Sequence, residues 1–121
     1  MVNWEQLSDE LHRSKRGKIR ITSAVSLESN DDLSTAYTPG VASPTKRIAE
    51  DEDKAFEYTS KERNVAIVTN CTAVLGLGDV GGSASITVLD GKAAIHKRFD
   101  YVGASPVTVD DDTPSGVLHV A

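Results

Sequence analysis

The chain has 121 residues, of which 13 are Lys or Arg and 18 are Asp or Glu, so its formal net charge is −5. This length suits one domain with a sizeable core, and the acidic balance argues against nucleic acid or an anionic membrane surface as a partner. The one cysteine, Cys71, excludes an internal disulfide, and no apolar run approaches the roughly 20 residues that span a bilayer, so we expect a soluble, cytoplasmic protein.

The first predicted element is a helix over residues 3–16. Asn3 suits its N-cap, and Trp4, Leu7 and Leu11 recur at helical spacing. Gly17 ends the pattern. Cations near a helix C-terminus interact favourably with the backbone dipole, so we interpret the basic cluster around it as solvated surface rather than as an anion or nucleic-acid patch. The cluster consists of His12, Arg13, Lys15, Arg16 and Lys18.

The stretch from Ile19 to Leu27 alternates apolar and polar residues, which favours a short strand or an extended segment. Pro39 and Gly40 then predict a turn. A helix is predicted from Ser43 to about Tyr58, because serine caps helices and the proline that follows it suits the first helical position.

Val65–Thr69 is a compact apolar run, which is typical of a strand in a parallel sheet that helices cover on both faces. Residues 106–109 favour a second strand. Residues 110–121 have turn composition without periodicity. Three successive carboxylates in a loop seldom converge on one ion, so we interpret Asp110, Asp111 and Asp112 as solvated.

Two groups of residues stand out from this background. The first is Tyr37-Thr-Pro-Gly-Val41, and the second contains Gly76, Gly78, Asp79 and Gly81 in the order Gly-Leu-Gly-Asp-Val-Gly. The GxGxxG spacing is typical of a loop that cradles the phosphates of a dinucleotide. The same glycines also suit a close crossing of a helix and a strand, which needs small residues.

Together with the Gly91-Lys92 pair, these groups resemble the N-terminal domain of malic enzymes, in that family's order and spacing, from about Leu11 to about Val109. The resemblance implies an α/β fold in which helices flank a small, mostly parallel sheet, truncated at its C-terminal side. It also implies a long helix over residues 82–99, where Ile86–Val88 alone would favour a strand. We therefore expect a single domain over residues 1–121, the substrate side of such an enzyme, with the nicotinamide-binding domain absent.

Malic enzymes oxidise malate and decarboxylate it to pyruvate and carbon dioxide with NAD or NADP and a divalent metal, Mg or Mn. The resemblance implies that Lys92 is the general base for the hydroxyl proton and that Tyr37 is the general acid that protonates the enolate. The residues alone leave a second interpretation open for each of these positions. Tyr37 could pack against its turn, and Lys92 could be an ordinary exposed lysine. The resemblance further implies that the glycine-rich stretch faces the cofactor, that this chain holds no metal ligand, and that the protein is a homodimer or associates with the missing domain.

Two residues depart from the family pattern. Cys71 stands where that family usually has glycine, so it would be strained if the position needs a positive φ angle. His96 occupies a position that is usually large and apolar, and we interpret it as a half-buried core histidine or as a local tuning group. The histidines and Cys71 show no zinc-ligand spacing.

Three functions stay open at this point. The first is malic enzyme activity, the second is a non-catalytic fragment that binds a partner or a small acid, and the third is a small dinucleotide-binding module. Turnover by the isolated chain is not expected, because hydride transfer needs a held nicotinamide and decarboxylation needs a held metal.

Overall fold

A computed structural model describes residues 1–111 and 113–120, with the backbone alone for the last two of these. The chain divides into two compact units, one made of Arg20–Arg63 and the other of Met1–Ile19 together with the chain from Asn64 onward. Within the described ranges, none of the helices combines the length and the apolar character needed to cross a lipid bilayer.

Helix α1 spans Trp4–Lys15, as its apolar spacing predicts. The side-chain oxygen of Asn3 accepts a hydrogen bond from the backbone N–H of Gln6 at 3.1 Å, which confirms the predicted cap. The helix ends at Arg16 and Gly17, which both have positive φ angles, and the N–H of Gly17 donates back to the last turn. The three apolar residues that gave the helical spacing stay exposed.

Strands β1 (Asn64–Thr69) and β2 (Gly103–Thr108) form a two-stranded parallel sheet, in which Asn64 pairs with Gly103 and Thr69 with Thr108. Helix α5, Gly82–Phe99, makes the crossover that parallel strands require and packs on β2. The parallel sheet, both strands and the long helix are therefore confirmed. The prediction that helices cover β1 on both faces is wrong for the described chain, because the first three residues of β1 are exposed.

The buried apolar core of the described residues is small and consists of Cys71, Leu89 and Ala93. Ser85 and Asp90 are buried beside them, so α5 supplies four of the five residues. The prediction of a sizeable core is wrong for the described chain, because most large apolar side chains keep contact with solvent.

The unit formed by residues 20–63 contains three helices: α2 (Asn30–Ala36), α3 (Ala42–Glu50) and α4 (Lys54–Tyr58). A short 3₁₀ turn, Ser60–Arg63, follows them. Of the short strand and the extended segment expected over Ile19–Leu27, the strand is absent from the described chain, whose sheet contains β1 and β2 alone. Without a neighbouring strand, this stretch satisfies its polar groups locally, as where the Ser23 hydroxyl donates to the carbonyl of Val25.

The helix predicted from residue 43 to residue 58 is interrupted. It begins at Ala42, with Val41 at the cap position and without a side-chain cap, so the prediction of Ser43 as the cap is wrong. The break comes at Asp51, whose φ of −153° is extended. Its carboxylate accepts the N–H of Asp53 at 3.3 Å, a local bond that competes with continuation of the helix.

The chain after β2 also departs from expectation, because helix α6 (Pro114–Val120) occupies a stretch predicted as turn. Asp110 and Asp111 are exposed, as predicted. Asp111 accepts hydrogen bonds from the hydroxyl and the backbone N–H of Thr113. These bonds, the hydroxyl bond more than the N–H bond, hold the pKa of the Asp111 carboxyl below its ordinary value. The predictions for Asp112 and Ala121 lie outside the described residues.

Candidate functional site

The first candidate residue, Tyr37, stands in the tight connection between α2 and α3. Its N–H donates to the carbonyl of Leu33 at 2.9 Å, which closes α2, and its own carbonyl accepts the N–H of Val41 at 2.8 Å, which opens α3. The Tyr37 side chain is 68% exposed, so it does not pack into the turn. The fold therefore presents a phenol to solvent on a backbone that two helices anchor.

The glycine three residues later explains how this turn closes. The N–H of Gly40 donates to the carbonyl of Ser34 at 2.8 Å. A Cβ atom at Gly40 would lie 2.5 Å from the carbonyl oxygen of Thr35 and 2.6 Å from that of Ser34. Both oxygens belong to the backbone at the end of α2, so only glycine fits here. The glycine of the Tyr-Thr-Pro-Gly sequence is thus required because the chain folds back onto the carbonyl groups at the end of α2.

The other end of α2 is fixed by a capping box. The Ser29 hydroxyl accepts the N–H of Asp32, and the carboxylate of Asp32 accepts the N–H of Ser29 at 3.1 Å and that of Glu28 at 3.0 Å. The Glu28 bond, and then bonding from Ser29, hold the pKa of Asp32 below its ordinary value. This short helix is thereby held at the end opposite Tyr37.

An open groove of about 630 Å³ begins two residues after Tyr37. Lys46 and Arg47 lie on its wall, so it carries two cations. No motif in the sequence predicts this groove, and its one signal there is the adjacent pair of basic residues. Its lining residues are Pro39, Gly40, Ala42, Ser43, Lys46, Arg47 and Glu50.

The second candidate residue, Lys92, lies in the middle of α5. Its side chain is exposed, whereas Leu89, Asp90 and Ala93 around it are buried. These buried neighbours anchor the turn of α5 that carries the ammonium group. Tyr37 and Lys92 belong to different compact units, so the convergence of their side chains stays a prediction.

The glycine-rich stretch forms a tight hairpin ahead of α5. Val74 pairs with Gly78, and Gly76, Gly78 and Gly81 all have positive φ angles, between 74° and 80°. The carboxylate of Asp79 accepts the N–H of Gly81 at 3.1 Å. Helix α5 begins only after the third glycine, whereas in a dinucleotide fingerprint the helix opens within the motif. The cofactor-facing role of these residues stays a prediction.

The two residues that depart from the family pattern have different environments. Cys71 is 3% exposed and has a φ of 64°, so the expected positive backbone angle at this position is present. His96 is not a core residue, which corrects the first of its two interpretations. Its Nδ1 lies 2.7 Å from the Asp100 carboxylate at the exposed end of α5.

A metal centre has no basis in the described residues. No group of three or more His, Cys, Asp or Glu side chains in residues 1–111 and 113–120 is arranged to hold an ion.

Comparisons with known proteins match this architecture to one family. The model of the family "Malic enzyme, N-terminal domain" matches residues 15–118. The bifunctional malic/malolactic enzyme of Bacillus subtilis is 46% identical over 109 residues, which make up 90% of this chain and 27% of that protein. The NAD-dependent malic enzyme of Geobacillus stearothermophilus is 43% identical over 104 residues, 86% of this chain and 22% of that protein. The chain therefore spans about a quarter of the length of these relatives.

Solved structures give the same result. The NAD-dependent malic enzyme of Thermotoga maritima superimposes with a TM-score of 0.88 at 35% identity, over 99% of this chain and 33% of that one. The malic enzyme of Pyrococcus horikoshii gives 0.82 at 45% identity, over 86% of this chain and 24% of that one.

Proposed function

Because the chain belongs to the malic enzyme N-terminal domain family, we propose that it forms the substrate side of an enzyme that oxidises malate and decarboxylates it to pyruvate. The observation that carries this proposal is the likeness to the Thermotoga maritima enzyme over 99% of the chain. Its two candidate residues both have exposed side chains on anchored backbone. A substrate that enters from solvent requires reactive groups placed in this way.

Lys92 acts as the general base in this proposal. It takes the proton from the malate hydroxyl while hydride leaves the same carbon. Tyr37 acts as the general acid, because the enolate left by loss of carbon dioxide needs a proton at carbon. Bound NAD or NADP supplies the hydride acceptor. The glycine-rich hairpin, with Gly76, Gly78, Asp79 and Gly81, forms the wall that faces this cofactor.

The described residues contain no group arranged to hold the divalent metal, so the two proton transfers are assigned to Lys92 and Tyr37 without reference to its position. We propose that ligands for Mg or Mn come from outside residues 1–111 and 113–120. The roles proposed for Lys92 and Tyr37 are proton transfers, which the side chains of these two residues carry out themselves.

We also propose that the working protein is a homodimer or associates with a nicotinamide-binding domain. Helix α1 offers a surface for this association, because Trp4, Leu7 and Leu11 lie exposed at helical spacing. A cytoplasmic location suits both the nicotinamide chemistry and the free thiol of Cys71, which a reducing compartment protects.

The test uses the natural polypeptide that contains these residues, whatever its length. Purified protein is mixed with malate, manganese and NAD or NADP, and the absorbance of the reduced cofactor is followed. Lys92→Ala should abolish turnover, whereas Lys97→Ala, another exposed lysine of α5, should leave it unchanged. Turnover retained in Lys92→Ala would remove the proposed base. Cofactor binding without turnover in the wild type would favour the dinucleotide-binding module instead.

A further inference from the structure

The chain that leaves α1 makes two hydrogen bonds to the middle of α5. The backbone N–H of Lys18 donates to Oδ2 of Asp90 at 3.3 Å, and the ammonium group of Lys18 donates to the carbonyl oxygen of Thr87 at 2.7 Å. The partners are 72 and 69 residues apart in the sequence. One residue thus holds α5 with both its backbone and its side chain, and we call this pair of bonds the Lys18 contact.

Gly17 makes the Lys18 contact possible. A Cβ atom at this position would lie 2.7 Å from Oδ2 of Asp90, and the φ angle of +99° is one that other residues rarely adopt. Asp90 is 9% exposed, so its carboxylate has little contact with water in this arrangement. A buried carboxylate costs free energy unless hydrogen bonds satisfy it, and the N–H of Lys18 provides such a bond. The bond from the Lys18 backbone is therefore part-buried, whereas the bond from its ammonium group lies at the exposed side of the contact.

The contact falls on the turn of α5 that leads directly to Lys92. In an α-helix the carbonyl of Thr87 accepts the N–H of Gly91, so the Lys18 ammonium shares that acceptor with the residue before Lys92. The same ammonium lies 3.7 Å from where a Cβ atom of Gly91 would stand. The charge of Lys18 is thus fixed beside the backbone that carries Lys92.

We propose that Lys18 and Asp90 are positioning residues that hold the Thr87–Gly91 turn and so set the place of the Lys92 ammonium group. This inference rests on the proposed function of Lys92 as general base. An exposed lysine side chain has many rotamers, and its only fixed reference is the backbone from which it extends. A displacement of about 1 Å at a catalytic group can cost on the order of 100-fold in rate. Neither positioning residue needs to touch malate for this effect.

The test compares kinetic constants in the natural polypeptide that contains this chain. Lys18→Met keeps the aliphatic stem and removes the ammonium donor, and we expect kcat to fall between about 10-fold and 100-fold while KM for malate stays unchanged. Lys18→Arg should recover most of this loss, because guanidinium also donates to a carbonyl. Lys15→Ala is the control, since Lys15 is an exposed lysine of α1 close to the contact.

Asp90→Ala, which removes the acceptor, gives an independent measurement from the other side of the contact. We expect kcat to fall in the same range, and the double variant Lys18→Met/Asp90→Ala should fall no further than the worse single variant, because both act on one turn. Amide hydrogen exchange at Gly91 should accelerate in both single variants, which reports the loosened turn without any need for turnover.

The outcomes separate the two proposals. If Lys92→Ala retains activity, the proposed function fails. If Lys92→Ala is inactive while Lys18→Met and Asp90→Ala keep the wild-type kcat, the positioning proposal alone is overturned. It is also overturned if kcat falls only together with the thermal unfolding midpoint and a raised KM, since that pattern belongs to general loss of structure. A fall in kcat at an unchanged midpoint, with recovery in Lys18→Arg, supports it.

Discussion

Replacement of Gly40 by alanine should destabilise the unit formed by residues 20–63 through a steric conflict alone. The new Cβ atom would stand 2.5 Å from the carbonyl oxygen of Thr35 and 2.6 Å from that of Ser34, so these oxygens must retreat by about 0.5 Å to reach the shortest contact that proteins tolerate. Both oxygens are part of the backbone of α2. The conflict therefore has to move either that helix or the turn that carries Tyr37.

The expected magnitude combines two opposing terms. Overpacking of this kind typically costs about 1–3 kcal/mol. Alanine also restricts the unfolded chain, which favours folding by about 0.4–1 kcal/mol. Steric cost should win, for a net loss of about 0.5–2 kcal/mol. Gly91→Ala is the matched control with the opposite sign. Its Cβ atom would meet the Lys18 side chain at ordinary distances, 3.7 Å from Nζ and 4.0 Å from Cδ, and alanine favours a helix interior by up to about 1 kcal/mol.

Urea unfolding followed by circular dichroism gives the free energies, and amide hydrogen exchange locates the change. In Gly40→Ala, exchange should accelerate over residues 30–50, whereas Gly91→Ala should slow exchange in α5. A Gly40→Ala protein as stable as the wild type, with unchanged exchange over residues 30–50, would refute the steric argument.

Three further predictions concern single contacts. Hydrogen bonds from Glu28 and then Ser29 lower the folded pKa of Asp32, so its stabilisation of α2 is complete above the ordinary value of 3.8 and is lost as pH falls through the folded value. The helical circular dichroism signal should therefore decline below about pH 3.8, and Asp32→Asn should remove that response. Leu89→Ala, at a side chain 4% exposed, should lower the free energy of unfolding in urea by about 2–5 kcal/mol, whereas Ile86→Ala on the exposed side of α5 should change it far less. Asn3→Ala should cost about 1 kcal/mol of helix stability, read as lower helicity of α1, because the cap bond is lost.

The elements that the sequence predicted correctly are those with a strong local signal. The apolar run over residues 65–69 became β1, and the capped, periodic stretch over residues 3–16 became α1. The long helix α5 was different. Its Ile86–Val88 segment favours a strand, and the resemblance to malic enzymes supplied the correct assignment. Burial of one helix face against β2 outweighs that local preference.

The missed elements have physical reasons too. Helix α2 is short and polar, and the Ser29–Asp32 capping box stabilises it. The sequence does contain the corresponding signal, a serine followed three residues later by an acidic residue. The break after α3 follows from the Asp51 side chain, which bonds locally instead of supporting a longer helix. The strand predicted over residues 19–27 lacked a partner, which alternation along one segment cannot reveal.

The candidate site divides in the same way. Tyr37 and Lys92 were identified through the resemblance, since nothing in their spacing could join residues so far apart in the chain. The interpretation of Lys18 as part of a solvated basic cluster is corrected, because this residue is partly buried and bonds to a helix 69–72 residues later in the chain. A glycine and a lysine after a helix give no sign of such bonds. Only the approach of the chain after α1 to α5 brings those groups together.

A common principle connects the two proposed catalytic residues. Each side chain is exposed, as a group that must meet a substrate has to be, and so packing of the side chain cannot fix its position. In both cases the neighbouring backbone is fixed instead, by the close approach of Gly40 to the carbonyls of α2 and by the Lys18 contact on α5. A reactive group can stay accessible and still be well placed only if its anchor is more rigid than the group itself. Gly17 and Gly40 both belong to these anchors, because each allows a close approach that a Cβ atom would obstruct. In this proposal the two glycines therefore influence the position of the reactive groups without contacting the substrate.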